Sequence, residues 1–363
     1  MKNFITTLLI FGAIFGLVLV GTFAFEKFGG IEAIGKLDTT IHVDLNKVIH
    51  VEERNDNQTD SNSEKSSDIS INTNKNKTKD KKVEDKFDEV ITSNLLPYPK
   101  RNLSTDEIFK EDLELSKSLG ITLSDVLPQF VKKSNVGVLL IHGLSATPKH
   151  MEYFSTLVSN AGFSYYNARV AGHGTSVEDL KSKTYVDWYN SLQNGYNTLA
   201  SFCDKIIIVG ESNGGILAAA IAKFNKVDAI VLSAPAFALN ESIFKDGSED
   251  INRNINSKYF QTYNYNIFPG ESVKQVNALG ALATEFVADL KIPVLFAVSE
   301  NDIAIDSKKV VDVYLGLNNP NKDLLLYSNK EYGITHVLLA KEFKGINEDV
   351  MSWIKKVIKV NHN

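Results

Sequence analysis

Lys205 to Phe224 reads KIIIVGESNGGILAAAIAKF. After Lys205, Ile206–Val209 form a short apolar run without polar alternation, the composition of a strand buried on both faces. The chain then passes through Gly210-Glu211-Ser212-Asn213-Gly214 into an alanine- and leucine-rich segment of strong helix propensity. A strand that turns this sharply into a helix holds the middle residue in a strained conformation. Glycines two positions before and two positions after Ser212 remove Cβ atoms where they would clash. The serine is then lifted clear of the sheet, at a helix N-terminus whose dipole favours developing negative charge. A Gly-x-Ser-x-Gly pattern alone is weak; the strand before it and the helix after it give it weight.

The same alternation extends outward from about Asp106. Strand-like runs occur at Val136–Ile141, Phe163–Ala168, Asp228–Leu232, Pro293–Val298 and Asp323–Tyr327. Helical stretches fall at Lys149–Asn160, Ser176–Phe202, Asn213–Phe224, Ser307–Leu315 and Lys341–Val360. The class is therefore α/β, a mostly parallel sheet with helices on both faces. No internal repeat is present.

A serine hydroxyl is a weak nucleophile and needs a base. In this arrangement the order along the chain is serine, acid, histidine. Of the seven histidines, only His336 and His362 follow Ser212. His362 is the penultimate residue, where fraying is expected; His336 follows the strand DLLLY and is the expected base. The acid is sought after the strand PVLFAV, where Glu300, Asp302 and Asp306 compete. Asp302 lies past the strand end in a turn-prone pair and is the expected partner of the imidazole, whereas Asp306 reads as a helix N-cap. An oxyanion needs donors. The strand VGVLLI runs into His142-Gly143-Leu144, which points to the N–H groups of Leu144 and Asn213. His142 precedes Ser212 and reads as structural.

These features together resemble the α/β-hydrolase superfamily. The segment Gly172-His173-Gly174-Thr175-Ser176, with Asp179-Leu180 and Asp187-Trp188, is similar to the branch of monoacylglycerol lipases and bacterial carboxylesterases. The resemblance spans about residues 130 to 360. It implies an eight-stranded type of sheet, a Ser212–His336–Asp302 triad, and hydrolysis of an acyl ester or lipid without metal or cofactor. Two departures stand out: Asn213 occupies a position where many relatives carry Met, Leu or Gln, and the cap insertion at about 240–290 is short. Its aromatics (Phe244, Tyr259, Phe260, Tyr263, Tyr265, Phe268, Phe286) either line an acyl-chain pocket or pack the cap on the sheet.

Ahead of this expected domain (87–363), Phe4 to Phe25 contains no charged residue. About 20 apolar residues suffice to span a bilayer, so 1–25 reads as a membrane anchor, or else a signal peptide, with the domain on the extracytoplasmic side. Residues 26–52 have no clear pattern. Residues 53–86 carry only Ile69, Ile71 and Val83 as apolar side chains and read as a disordered polar linker. The net charge of −5 gives no bulk attraction to nucleic acid. The single cysteine, Cys203, excludes an intrachain disulfide. Phosphate-loop, His-Glu-x-x-His and dinucleotide fingerprints are absent from the sequence.

Overall fold

The computed structural model describes residues 103–253, 255, 257–328 and 336–360. The expected anchor (1–25), juxtamembrane segment (26–52) and linker (53–86) lie outside the described residues. Among the described residues, no helix is long and apolar enough to cross a membrane.

In chain order the elements are helix α1 (Thr105–Ser118), strands β1 (Gln129–Val131) and β2 (Val136–Ile141), and helix α2 (Glu152–Asn160). Strand β3 (Ser164–Ala168), helices α3 (Val177–Lys181) and α4 (Tyr185–Ala200), strand β4 (Lys205–Glu211) and helix α5 (Asn213–Phe224) follow. Next come β5 (Ala229–Ser233), α6 (Glu241–Phe244), β6 (Ile251–Asn252), α7 (Lys258–Tyr263), β7 (Ile267–Phe268) and α8 (Gly270–Asp289). β8 (Val294–Ser299), α9 (Ser307–Gly316), β9 (Lys322–Tyr327) and α10 (Lys344–Val360) complete them.

Among the described residues, seven strands form one sheet in the order β1-β3-β2-β4-β5-β8-β9. Only β1 runs antiparallel; all other neighbours are parallel. The near-continuous apolar strands at the centre explain this: Val138–Ile141, Ile207–Val209 and Ile230–Leu232 are fully buried, so both faces must be covered. Register places Ile141 beside Gly210 and Leu232 beside Phe296. The carboxyl ends of β2, β4, β5 and β8 therefore open to one edge, where ligands of such sheets bind.

Three boundaries differ from the sequence reading. The stretch Ser176–Phe202 is two helices, because Thr184 and Asp187 form a capping box that starts α4 afresh. Helix α1 begins at a second capping box, Ser104 with Glu107, that the strand-and-helix reading passed over. The insertion expected at about 240–290 divides. Val273, Val276, Ala283 and Phe286 recur at helical spacing, are buried, and seat α8 against α5. Only α6, α7 and the small β6–β7 hairpin are left as covering elements.

Candidate active site

Ser212 sits between β4 and α5 with φ +59° and ψ −119°. For a residue with a Cβ this is a strained backbone. The surroundings enforce it: the Ser212 N–H donates to Ser233 O at 2.8 Å, and its carbonyl accepts from Gly215 N at 2.9 Å and Ala236 N at 3.2 Å. The flanking glycines are obligatory by distance. A Cβ on Gly210 would lie 2.0 Å from Gly214 O, and one on Gly214 would lie 2.2 Å from Ile141 O.

The structure brings Asp302 and His336 to this serine. His336 Nε2 lies 2.9 Å from Ser212 Oγ. His336 Nδ1 lies 2.9 Å from Asp302 Oδ1 and 2.8 Å from Oδ2. The carboxylate accepts a hydrogen bond from Nδ1–H, which leaves Nε2 as an acceptor facing the hydroxyl. Asp302 is itself fixed: its Oδ1 accepts from Ala304 N at 2.7 Å and Ile305 N at 3.1 Å. Its own N–H donates to Ser307 Oγ at 3.2 Å. Burial alone would push the imidazole pKa down; the charge and hydrogen bond of Asp302, with Glu211 behind, outweigh it and hold His336 above its ordinary value. Of the two competing acids, Glu300 is exposed, and Asp306 caps α9 by accepting from Lys309 N at 3.1 Å.

The loop after β2 closes the other side. A Cβ on Gly143 would approach Ser212 Cβ to 3.2 Å, so this glycine permits the contact. Leu144 follows it, and Asn213 is the first residue of α5. Among the described residues, no backbone acceptor pairs with the N–H of either. His142 is fully buried: Nδ1 donates to Gly143 O at 2.9 Å and Nε2 accepts from Val170 N at 3.3 Å. Burial and the neighbouring His173 hold its pKa well down, so it is a neutral strut under this loop.

One residue at the site escaped the sequence reading. Glu211 is buried beside Ser212, and its Oε1 accepts from Leu338 N at 2.8 Å, Leu339 N at 2.9 Å and Ser233 Oγ at 3.3 Å. Burial raises its pKa against these hydrogen bonds and the charge of His336. It ties the chain just beyond His336 to the strand that carries the nucleophile. Its signal was an acidic residue ending an otherwise apolar strand.

The cap aromatics mostly serve packing. Phe286 is buried in α8 against Phe224 at 5.4 Å between ring centroids, and Phe244 lies 5.3 Å from Phe268. Tyr265 donates to Gly172 O and accepts from Thr175 N, both at 2.9 Å. Tyr263 lines a cavity of about 190 Å³ beside Val126 and Ser145, apart from the Ser212 site. Among the described residues, no group of His, Cys, Asp and Glu is placed to hold a metal ion.

A mostly parallel sheet, a serine on a strained strand–helix turn and a histidine–carboxylate pair from two later loops are the arrangement of the α/β-hydrolase fold. Comparison with known proteins agrees. Residues 132–266 match the family described as "Serine aminopeptidase, S33". The chain is 27% identical over 227 residues to the thermostable monoacylglycerol lipase of Bacillus sp. (strain H-257), covering 59% of this chain and 89% of that protein. It is 23% identical over 251 residues to the carboxylesterase of Bacillus subtilis (strain 168), covering 63% and 96%. Among solved structures, one described under the metagenome-derived lipolytic enzymes LipS and LipT superposes with a TM-score of 0.56 at 23% identity, covering 65% of this chain and 99% of that one. The chain has the α/β-hydrolase fold and is similar in sequence to esterase- and lipase-type hydrolases.

Proposed function

We propose that this protein cleaves carboxylic esters, of monoacylglycerol or a related acyl ester, through an acyl-enzyme on Ser212. One observation carries the reading: the unbroken chain of contacts from Ser212 Oγ to His336 Nε2 at 2.9 Å and from His336 Nδ1 to Asp302 at 2.8 Å. His336 removes the hydroxyl proton as Ser212 Oγ attacks the carbonyl carbon. The N–H groups of Leu144 and Asn213 stabilise the oxyanion. The alcohol leaves with the proton from His336, and water, deprotonated by the same imidazole, releases the acid. Asp302 holds the tautomer and stabilises the imidazolium without taking the proton.

The test is covalent labelling by a fluorophosphonate together with hydrolysis of nitrophenyl esters of graded chain length. Both are expected in the wild type and absent in Ser212→Ala. A folded wild type that neither labels nor turns over any ester refutes the reading, and leaves a binding protein on a hydrolase scaffold. The match to a family described as a serine aminopeptidase favours one alternative, a peptidase or amidase with the same triad. Cleavage of aminoacyl amides in preference to esters would establish it. The uncharged run Phe4–Phe25 supports placing the enzyme at a membrane, with its catalytic domain on the extracytoplasmic side. Recovery of the full chain in the washed membrane fraction, and protease access to the domain in intact cells, would test this.

A further inference from the structure

Arg253 directly follows β6, in the elements that cover the site. Its N–H donates to Asn266 O at 2.8 Å and its Nη1 to Tyr265 O at 3.1 Å. The guanidinium carbon lies 4.3 Å from the centre of the Phe268 ring. The segment it rests on is pinned to the loop after β2. Tyr265 N–H donates to Ser145 O at 3.1 Å, and Ser145 Oγ donates to Ile267 O at 3.3 Å. Ser145 is the neighbour of Leu144, one of the two oxyanion donors assigned above. Arg253 is thus held where the cap meets the oxyanion loop, and its positive charge reaches the imidazole of His336.

Among the described residues its charge has no ion-pair partner. The side chain is half-buried, and burial holds its pKa below that of an ordinary arginine. The contrast within the same chain is direct: buried Arg169 is balanced by Asp112 and Asp179, and Lys149 by Asp125 and Glu152. Cations withdrawn from water are ordinarily paired, because desolvation disfavours the charged form. Its charge bears instead on two histidines, His336 and His150, and opposes their protonation. A guanidinium has five N–H donors in a planar fork; the contact to Tyr265 O uses one of them, and the fork matches a carboxylate or phosphate in two-point contact.

We infer that Arg253 is a substrate-recognition residue that takes an anionic group, carboxylate or phosphate, on the acyl ester attacked by Ser212. This rests on the proposed function and gives the charge of its substrate. A neutral monoacylglycerol leaves the guanidinium unmatched, whereas an ester with a carboxylate on the acyl side or a phosphate on the alcohol side supplies the missing charge. The attraction is local, since the chain as a whole carries a net charge of −5 and does not draw anions by its overall field.

The test compares kcat/KM of the purified full chain on matched pairs. Nitrophenyl hemiglutarate against nitrophenyl valerate places the charge on the acid. 1-Butyrylglycerol 3-phosphate against 1-butyrylglycerol places it on the alcohol. The anionic member of one pair is expected to be preferred by roughly 10–100-fold, the range for a hydrogen bond to a charged group. The pair that shows the preference identifies the side of the ester that Arg253 reads. The preference should fall with added salt. In Arg253→Met, which keeps an apolar stem on Phe268, the anionic-to-neutral ratio should fall to about 1; in Arg253→Lys it should be intermediate. Equal or better use of the neutral member in both pairs by the wild type overturns the inference. So does a variant that lowers both members alike, which would make Arg253 a clasp of the cap only. If Arg253→Met does not fold, the wild-type ratios and their salt dependence decide. Absence of turnover on every ester, with no fluorophosphonate labelling, would instead refute the proposed function, so the two failures are distinguishable.

Discussion

At Ser212 the backbone geometry and the two glycines explain each other, because the turn that exposes the hydroxyl leaves no room for a Cβ at Gly210 or Gly214. That part of the site was legible in the sequence, since the strand, the glycines and the helix are contiguous. His336 was legible by order along the chain. Asp302 stood among three acids and was separable only by its place in the turn. Glu211 was not legible in its role, because its partners are backbone N–H groups 127 and 128 residues away. Two predictions belong at this scale. Asp302→Asn keeps an oxygen for the Ala304 and Ile305 N–H groups but cannot leave Nδ1 protonated toward a carboxylate. The wrong tautomer then faces Ser212, and kcat should fall by about 10⁴; steady-state kinetics with a folded, fluorophosphonate-accessible variant check it. The second concerns pH. In the proposed mechanism the base must be neutral to act, and His336 is held above the ordinary imidazole value near 6.5. The acid limb of kcat/KM should therefore lie above pH ~6.5. The charged groups that bear on this imidazole are Asp302, Glu211 and Arg253. Glu211→Gln removes one anion while leaving an amide oxygen for Leu338 and Leu339, so the limb should move to lower pH. A uniform loss of activity with an unmoved limb would reduce Glu211 to a structural brace.

Helix α7 shows what the cap depends on. At its C-terminal end Asn264 Nδ2 donates to His150 Nε2 at 2.9 Å and to Phe260 O at 3.0 Å, and Phe260 lies edge-on to the imidazole at 6.2 Å. Burial, with Arg253 nearby, lowers the His150 pKa to about 4. The unfolded-state value is about 6.5, so the folded state is the poorer proton binder. The stabilisation is complete above pH ~6.5 and is lost as pH falls through the window from about 6.5 to 4. Protonation also removes the acceptor that Asn264 uses. His150→Gln keeps an acceptor and does not titrate. The melting temperature of the wild type, relative to this variant, should drop between pH 7 and pH 4.5 by the equivalent of about 2 kcal/mol, allowing for the partial exposure of the site. A constant difference across that range would exclude His150 from the pH response. None of this was readable beforehand, because the short cap helices lack the sustained periodicity that marked the sheet and its flanking helices. Helix α8 did carry that periodicity, and grouping it with the cap obscured it.

Across the molecule, the covered parallel sheet follows from apolar strands buried on both faces, so the α/β architecture was legible while the polar ties between distant elements were not. One such tie docks α1 on the sheet. Buried Asp112 of α1 accepts from Tyr166 OH of β3, and buried Arg169 donates through Nε to Ser116 Oγ at 3.0 Å and through Nη1 to His173 O at 3.2 Å. Desolvation raises the Asp112 carboxyl pKa, opposed by Tyr166 and by the charge of Arg169. It also lowers the Arg169 pKa, opposed by Asp112 and Asp179. Each ion is thus tolerated in the interior partly through the charge of the other. Removing one partner leaves the other buried and uncompensated, which costs about 3–5 kcal/mol, whereas replacing both by apolar side chains of similar volume is often neutral. Arg169→Met should therefore lower the urea midpoint sharply, and Asp112→Leu added to it should recover most of the loss. The recovery has a defined limit: Tyr166 OH and Ser116 Oγ lose partners in the double variant, so about 1–3 kcal/mol per buried unpaired group remains. A double variant no more stable than Arg169→Met would show that α1 is held by its apolar face alone, with the charges coupled to nothing.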